Sequence, residues 1–201
     1  ALKMVLGDHV EQAGSLVEPG RLRFDFSHDQ AMTKEEIKKV EDIVNEQIQL
    51  DVPVCTDIMT VDEAKKTGAM ALFGEKYGEK VRVVSIGDFS KEFCGGTHVA
   101  NTGAIGMFKI VSETGVAAGT RRIEALTSIG ALEYYRSMES ELVEAAKAAK
   151  TDIHGVAARI EQLLAEVKEL TNENKKLKDK MAKEAAGDVL SNAIDKDGIK
   201  I

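Results

Sequence analysis

Several residue types are scarce in this chain of 201 residues. Tryptophan is absent, and aromatic residues make up 4% of the sequence. The two cysteines, Cys55 and Cys94, lie far apart, which excludes a disulfide framework and favours a reducing, cytoplasmic setting. Cys55 stands in a β-rich run, and we expect it to be a small core residue. No apolar run approaches the roughly 18 residues of a membrane-spanning helix, so we expect no membrane partner.

The charge balance limits the kind of nucleic-acid contact that this chain makes. Charged residues reach 30% of the sequence, and the formal net charge is −7. A protein whose main task is to grip a nucleic-acid backbone is usually basic, so the acidic balance argues against that task. It leaves room for a domain that handles a single RNA end. Apolar residues amount to 43%, which suffices for a globular core.

Turn signals and apolar periodicity predict a mixed α+β domain over residues 1–127. Residues 18–20, Glu-Pro-Gly, mark a hairpin turn. Thr33 and Glu36 form a capping-box pattern at the start of a helix, and a shorter helix is expected over residues 61–67. We expect strands over residues 9–17, 21–26, 54–59, 81–86, 107–113 and 120–126.

The composition then shifts, and residues 128–186 read as a helical arm. From Ile153 onwards the apolar residues fall three and four positions apart, a spacing typical of a coiled coil of about four heptads. This apolar stripe consists of Ile153, Val156, Ile160, Leu163, Val167, Leu170, Leu177 and Met181. Asn174 is the one polar residue in a core position and is expected to restrict register or partner number at a cost in stability.

An N-cap pattern at Thr151 and Asp152 predicts a break within the arm. We therefore expect two helices folded into an antiparallel coiled-coil hairpin, with the stripe buried on one helix over residues 153–181. One long helix or an intermolecular coil are the alternatives. Residues 187–201 are expected to begin a linker to a missing C-terminal domain.

The run Cys94-Gly95-Gly96-Thr97-His98 places a thiol and an imidazole four positions apart, with two glycines that allow the backbone to turn. This spacing suits two ligands of one Zn²⁺. Tetrahedral zinc requires four ligands, or three and a water, so the motif supplies half of a site. The alternative is a buried cysteine and a surface histidine beside a loop.

Five blocks of the sequence resemble the editing domain of alanyl-tRNA synthetases, in the order that this family has them. The longest block runs from Val81 to His98, VRVVSIGDFSKEFCGGTH, and resembles the second half of the family's editing site. The other blocks are residues 7–16, 21–28, 68–77 and 121–125. The resemblance covers nearly all of residues 1–150.

The resemblance implies the fold shared by the editing domains of threonyl- and alanyl-tRNA synthetases and by free-standing editing proteins, with a mixed or antiparallel sheet. It also implies hydrolysis of the ester that joins serine or glycine, attached in error, to the 3′ end of tRNA(Ala). A pocket for alanine does not fully reject these amino acids, so a second site removes them. The acceptor end of tRNA(Ala) is therefore the implied partner.

Zinc is the implied metal, because four side chains hold it in this family and Cys94 and His98 match the second pair. The first pair is a His-x3-His motif that would precede Ala1. We therefore expect an N-terminally truncated domain that holds zinc weakly or not at all and hydrolyses mischarged tRNA poorly. ATP and Mg²⁺ would serve only a missing catalytic domain, since the chain has no nucleotide-binding motif and is not expected to aminoacylate tRNA.

The resemblance also assigns single residues to the site. Gln12 matches a glutamine beside the family's editing pocket, and Thr97 is expected to line that pocket next to the metal pair. These two are the catalytic candidates, although Gln12 is equally consistent with a strand amide that faces solvent. Candidates for binding the substrate or the tRNA are Gly95, Gly96, Arg121 and Arg122.

Strand alternation allows only one of Arg121 and Arg122 to face a given side of a sheet. One interpretation is that they contact RNA phosphate, with the neighbouring Glu124 orienting one of them. A salt bridge within the strand face is the equal alternative. We expect a structural role for His9 and a surface position for His28.

Two other functions compete with editing inside a ligase. One is a free-standing editing hydrolase of the same fold. The other is a mainly structural module for dimerisation or tRNA positioning, in which a homodimer forms through the helical arm or through a missing C-terminal domain.

Overall fold

The computed structural model describes residues 1–71, 77–191, 195–196 and 199–200, with side chains up to residue 184. The helices are α1 (Leu2–Leu6), α2 (Lys34–Gln49), α3 (Val61–Lys66), α4 (Ser128–Ala149) and α5 (Val156–Ser191), with a 3₁₀ helix at Thr102–Ile105. The strands are β1 (Gln12–Glu18), β2 (Arg21–Ser27), β3 (Val54–Thr60), β4 (Lys80–Ile86), β5 (Ser90–Phe93), β6 (Phe108–Ala117), β7 (Thr120–Thr127), β8 (Asp195–Lys196) and β9 (Ile199–Lys200). The chain divides into two compact units, Ala1–Arg136 and Ser137–Ile201.

The first unit contains an antiparallel sheet of four strands in the order β1-β2-β7-β6. Phe26 on β2 is completely buried and anchors a core that includes Ile110 of β6, Ile123 of β7 and Val40 of α2. Burying a side chain of this size stabilises a fold by about 1.5–3 kcal/mol. The predicted hairpin at residues 18–20 is confirmed, with Glu18 opposite Arg21.

Helix α2 begins as the sequence predicts. The Thr33 side chain accepts a hydrogen bond from the Glu36 N–H, and the Glu36 carboxylate accepts one from the Thr33 N–H. This capping box satisfies two backbone donors that a helix start leaves free. The buried Val40 and Ile48 then fix α2 against the first sheet.

A second antiparallel sheet, in the order β3-β4-β5, lies in the same unit and has its own small core. Val81 and Val83 of β4 pack there with Phe93 of β5 and Ala64 of α3. The strands β3 and β4 and the helix α3 are confirmed, and the two antiparallel sheets with their helices confirm the α+β class. The expectation that Cys55 is a core residue is wrong, because β3 is an edge strand of this sheet and Cys55 is exposed on it.

The predicted break in the arm is confirmed, since α4 ends at Ala149 and α5 begins at Val156. The Asp152 carboxylate accepts hydrogen bonds from the backbone N–H groups of His154 and Gly155. The sequence pattern predicts a start of the second helix at Ile153, and the observed start at Val156 is three residues later. None of the helices in the described part of the chain is long and apolar enough to cross a membrane.

The expectation of a buried stripe on α5 is wrong for this single chain. Val156 is buried, but the exposed fraction is 46% for Ile160, 59% for Val167 and 68% for Met181. The coiled-coil hairpin is therefore not confirmed, because these side chains are exposed in the described part of the chain. The apolar spacing defines a face of the helix and does not specify what covers it. The linker prediction for 187–201 falls largely outside the described side chains and stays a prediction.

Candidate functional site

The structure brings Cys94 and His98 together. The β4–β5 ladder ends at Phe93, so Cys94 is the first residue of the loop that follows, and its Sγ lies 3.2 Å from His98 Nε2. Zinc bond lengths and a tetrahedral angle place a thiolate sulfur and an imidazole nitrogen about 3.5 Å apart. The pair thus fits two adjacent positions of a zinc site. Among the described residues, no group of three or more His, Cys, Asp and Glu side chains gathers as a metal site.

Arg82 on β4 is a site residue that the sequence patterns missed. Its guanidinium donates to the carbonyl oxygens of Cys94 at 2.8 Å and Gly96 at 2.5 Å, and more weakly to Thr56 Oγ1 at 3.4 Å. The backbone N–H of Cys94 donates to the carbonyl of Arg82 at 3.1 Å. The only available signal was the resemblance of the whole block 81–98, which did not single out this arginine.

The two catalytic candidates occupy different parts of the first unit. Gln12 is half-buried at the start of β1, opposite Phe26, whereas Thr97 is exposed in the loop after β5. No hydrogen bond between described residues joins Gln12 or Thr97 to Cys94 or His98. A shared cleft for these residues stays a prediction.

Arg121 and Arg122 each hold a carboxylate. Arg121 donates two hydrogen bonds to Glu113, at 2.6 and 2.7 Å, and Arg122 donates two to Asp25, at 2.7 and 2.8 Å. Bidentate pairs of this kind are the strong, directional form of a charged hydrogen bond. The hydrogen bonds also hold the pKa of both arginines above the usual value. The carboxylate partners are Glu113 and Asp25, and Glu124 instead binds Arg21 and Ser112.

His9 and His28 form a second imidazole contact that the sequence did not indicate. His9 Nε2 lies 2.8 Å from His28 Nδ1, and the two rings stack with centroids 5.1 Å apart. Ser27 links the same two segments, because its hydroxyl donates to the His9 carbonyl at 2.7 Å and accepts from the Glu11 N–H at 2.8 Å. The pair therefore ties the segment before β1 to the end of β2, which supports the structural role expected of His9.

Helix α1 begins at Leu2, and Ala1 precedes it as the N-cap residue. Helix α1 itself packs with Leu2 and Val5 against the core of the first sheet.

The family model of the threonyl and alanyl tRNA synthetase second additional domain matches residues 81–124, which run from β4 into β7. Alanine–tRNA ligase 1 of Lachnoclostridium phytofermentans is 62% identical over 201 residues, which is 100% of this chain. The alanine–tRNA ligases of Bacillus subtilis and Shewanella amazonensis are 53% and 52% identical over the same length. This chain spans 23% of the length of each of these relatives.

Proposed function

Because this chain belongs to the alanyl-tRNA synthetases, we propose that it carries their editing function: hydrolysis of the ester between a wrongly attached amino acid and tRNA(Ala). The observation that carries the proposal is the 3.2 Å approach of Cys94 Sγ to His98 Nε2. Both residues lie within the segment 81–124 that matches the synthetase domain. Serine and glycine are the proposed amino acids, since a pocket for alanine discriminates poorly against groups of similar or smaller size.

Metal binding, substrate binding and lining of the pocket would fall to different residues of this chain. Cys94 and His98 would hold two of the four ligand positions of Zn²⁺, which supplies Lewis-acid polarisation of the ester or of a water. The amide of Gln12 would donate a hydrogen bond to the serine hydroxyl or the ester, and Thr97 would line the pocket. The residues Gly95 and Gly96 have no side chain that would block the approach of the terminal adenosine to the loop.

The other two zinc ligands would come from a His-x3-His motif in the chain that precedes Ala1 in a complete ligase. Histidines four positions apart lie on one face of a helix. A helix of that kind would present both imidazoles on the same side, as two ligands of one Zn²⁺ require.

Two alternatives have weaker support. A free-standing editing hydrolase has the same chemistry, but in the relatives named above this segment is part of a ligase. A structural module that dimerises through the arm is supported by the exposed apolar face of α5. That face involves none of the residues of the proposed editing site.

Deacylation of Ser-tRNA(Ala) by a complete ligase that contains this segment tests the proposal. Cys94→Ala is expected to lower the hydrolysis rate by at least about tenfold, the usual effect of losing one zinc contact or its support. Cys55→Ala is the matched control, because Cys55 is an exposed thiol on β3. Unchanged deacylation by Cys94→Ala, with aminoacylation also intact, would show that the Cys94–His98 pair does not carry the editing function.

A further inference from the structure

We propose that Arg82 is the positioning residue of the Cys94–His98 pair: its guanidinium sets the loop geometry that brings the thiol and the imidazole onto one metal ion. The metal part of this inference rests on the proposed function. The loop geometry itself is a property of this chain.

Arg82 binds the loop from two directions. Its main-chain carbonyl accepts from the Cys94 N–H at 3.1 Å, and its side chain donates to the Cys94 carbonyl at 2.8 Å. Both backbone polar groups of Cys94 are therefore held by one residue. A further hydrogen bond of 2.5 Å reaches the Gly96 carbonyl, midway between Cys94 and His98.

The two glycines do not impose this geometry. Neither Gly95 nor Gly96 has a positive φ. A Cβ on Gly95 would meet nothing within 4 Å, and one on Gly96 would meet only Cys94 Sγ at an ordinary 3.6 Å. The glycines thus add backbone freedom, which lowers the order of a loop unless another group restrains it. In the described residues, that restraint is Arg82.

The guanidinium is suited to this task and an ammonium is not. A planar fork offers several N–H donors in fixed directions, so one arginine reaches two carbonyls and Thr56 Oγ1 together. Within the described part of the chain, Arg82 makes no ion pair with a carboxylate, unlike Arg121 and Arg122. Its N–H groups bind carbonyl oxygens of the loop after β5, whereas Arg121 and Arg122 bind carboxylates on the first sheet.

Two variants separate the geometry of Arg82 from its charge. Arg82→Lys keeps the charge and loses the fork, and Arg82→Gln loses both. Arg23→Lys is the matched control, because Arg23 is a half-buried strand arginine on the first sheet. Far-UV circular dichroism and urea unfolding establish that each variant is folded.

Two readouts are needed. Amide hydrogen exchange of residues 94–98 measures loop order without any metal, and both Arg82 variants are expected to speed it at least about tenfold, the equivalent of one lost hydrogen bond. Titration with Cd²⁺, followed by the thiolate-to-metal charge-transfer absorption, measures the site. Loss of outer support for a ligand typically weakens metal binding about 10–100-fold, and we expect that loss for both Arg82 variants but not for Arg23→Lys.

The outcomes are distinct. If Arg82→Lys matches the unmodified chain in exchange and in Cd²⁺ affinity, the positioning role is wrong. If only Arg82→Gln loses affinity, charge and not geometry is what Arg82 supplies, which also overturns the proposal. If Cys94→Ser binds Cd²⁺ as the unmodified chain does, Cys94 is not a metal ligand, and hydrogen exchange alone still decides the role of Arg82.

Should both Arg82 variants unfold, Thr56→Val serves as a further variant. It removes the hydrogen bond between Arg82 and Thr56 Oγ1 and is expected to speed exchange of the amides of residues 94–98 about twofold. An unchanged exchange rate would overturn the proposal.

Discussion

Arg122 holds Asp25 across the β2–β7 ladder through two parallel hydrogen bonds of 2.7 and 2.8 Å. The Asp25 side chain is only 12% exposed, and the Arg23 guanidinium lies 3.8 Å away on its own strand. The hydrogen bond from Arg122 is the main cause that lowers the pKa of Asp25. This arginine is therefore bound to the sheet before any RNA phosphate competes for it.

Replacement of Asp25 by Asn is expected to destabilise the fold by about 2 kcal/mol at pH 7, because it breaks a charged bidentate pair. The loss depends on pH, since a carboxyl whose folded pKa is lowered stabilises the fold only while it is ionised. The difference in unfolding free energy between the two proteins is therefore largest above about pH 5. It decreases as the pH falls below roughly 4, near the pKa of an aspartate in the unfolded chain. Urea unfolding across that pH range measures it.

Asp42→Asn is the control for this experiment. Asp42 also pairs with a cation, Lys38, but both side chains are well exposed on α2, at 61% and 72%. Exposed pairs contribute about 0–1 kcal/mol. Equal losses for Asp25→Asn and Asp42→Asn would mean that burial and bidentate geometry add nothing to the Asp25–Arg122 pair.

Local signals predicted much of the first unit, because the interactions concerned are local. The capping box at Thr33 and Glu36 and the turn at residues 18–20 each depend on neighbours within four positions. Strand β5 was not predicted, since Ser90–Phe93 is short and mostly polar and is held by pairing with β4. A tertiary contact of this kind leaves no periodic pattern in the sequence.

The site was predictable as a motif but not as an assembly. The spacing of Cys94 and His98 and the resemblance of their block indicated the pair, and the structure places their ligand atoms 3.2 Å apart. The contact of Arg82 with the loop spans 12 to 14 positions and depends on the β4–β5 pairing. The exposed stripe of α5 shows the opposite case, in which a strong pattern was present but its partner was not specified.

Gln12→Ala is expected to slow Ser-tRNA(Ala) hydrolysis by roughly tenfold in a complete ligase that contains this segment. The reason is the loss of one side-chain hydrogen bond to the substrate, which is worth about 1.4 kcal/mol in this role. Aminoacylation is expected to be unchanged, since it takes place at another site. Ser15→Ala, on an exposed position of the same strand, is the control. Normal deacylation by Gln12→Ala would remove Gln12 from the site.

The contact between His9 and His28 is expected to contribute about 1 kcal/mol to folding. His28→Phe keeps a ring beside Phe26, whose centroid lies 6.4 Å from that of His28, and removes only the hydrogen bond. Urea unfolding at neutral pH measures the difference. His154→Ala, in the linker before α5, is expected to change stability by less than about 0.5 kcal/mol. A His28→Phe protein as stable as the unmodified chain would show that the 2.8 Å contact is not stabilising.

The purified 201-residue chain is expected to contain well below one zinc per chain. Four-ligand zinc sites gain roughly 10–16 kcal/mol from binding, and each thiol must lose its proton first. Among the described residues, no third His, Cys, Asp or Glu side chain joins Cys94 and His98 as a metal ligand, so binding is expected to be far weaker and open to ordinary chelators. Extension of the chain through an upstream His-x3-His motif is expected to restore zinc and hydrolysis together. Elemental analysis decides the point, and one tightly held zinc per chain would show that the ligand set is misidentified.

The outer part of α5 is expected to exchange its backbone amides far faster than α2 in dilute solution. Helix α2 buries Val40 and Ile48, whereas α5 leaves Val167, Leu170 and Leu177 about 60% exposed. Isolated helices are marginal in water, since tertiary packing supplies most helical stability. Hydrogen exchange at increasing protein concentration distinguishes an exposed, unpacked helix α5 from an intermolecular coiled coil. Protection of α5 that rises with concentration identifies an intermolecular coil, in which Asn174→Leu should raise stability while relaxing partner number. Strong protection of α5 at the lowest concentration would contradict the exposed, unpacked helix.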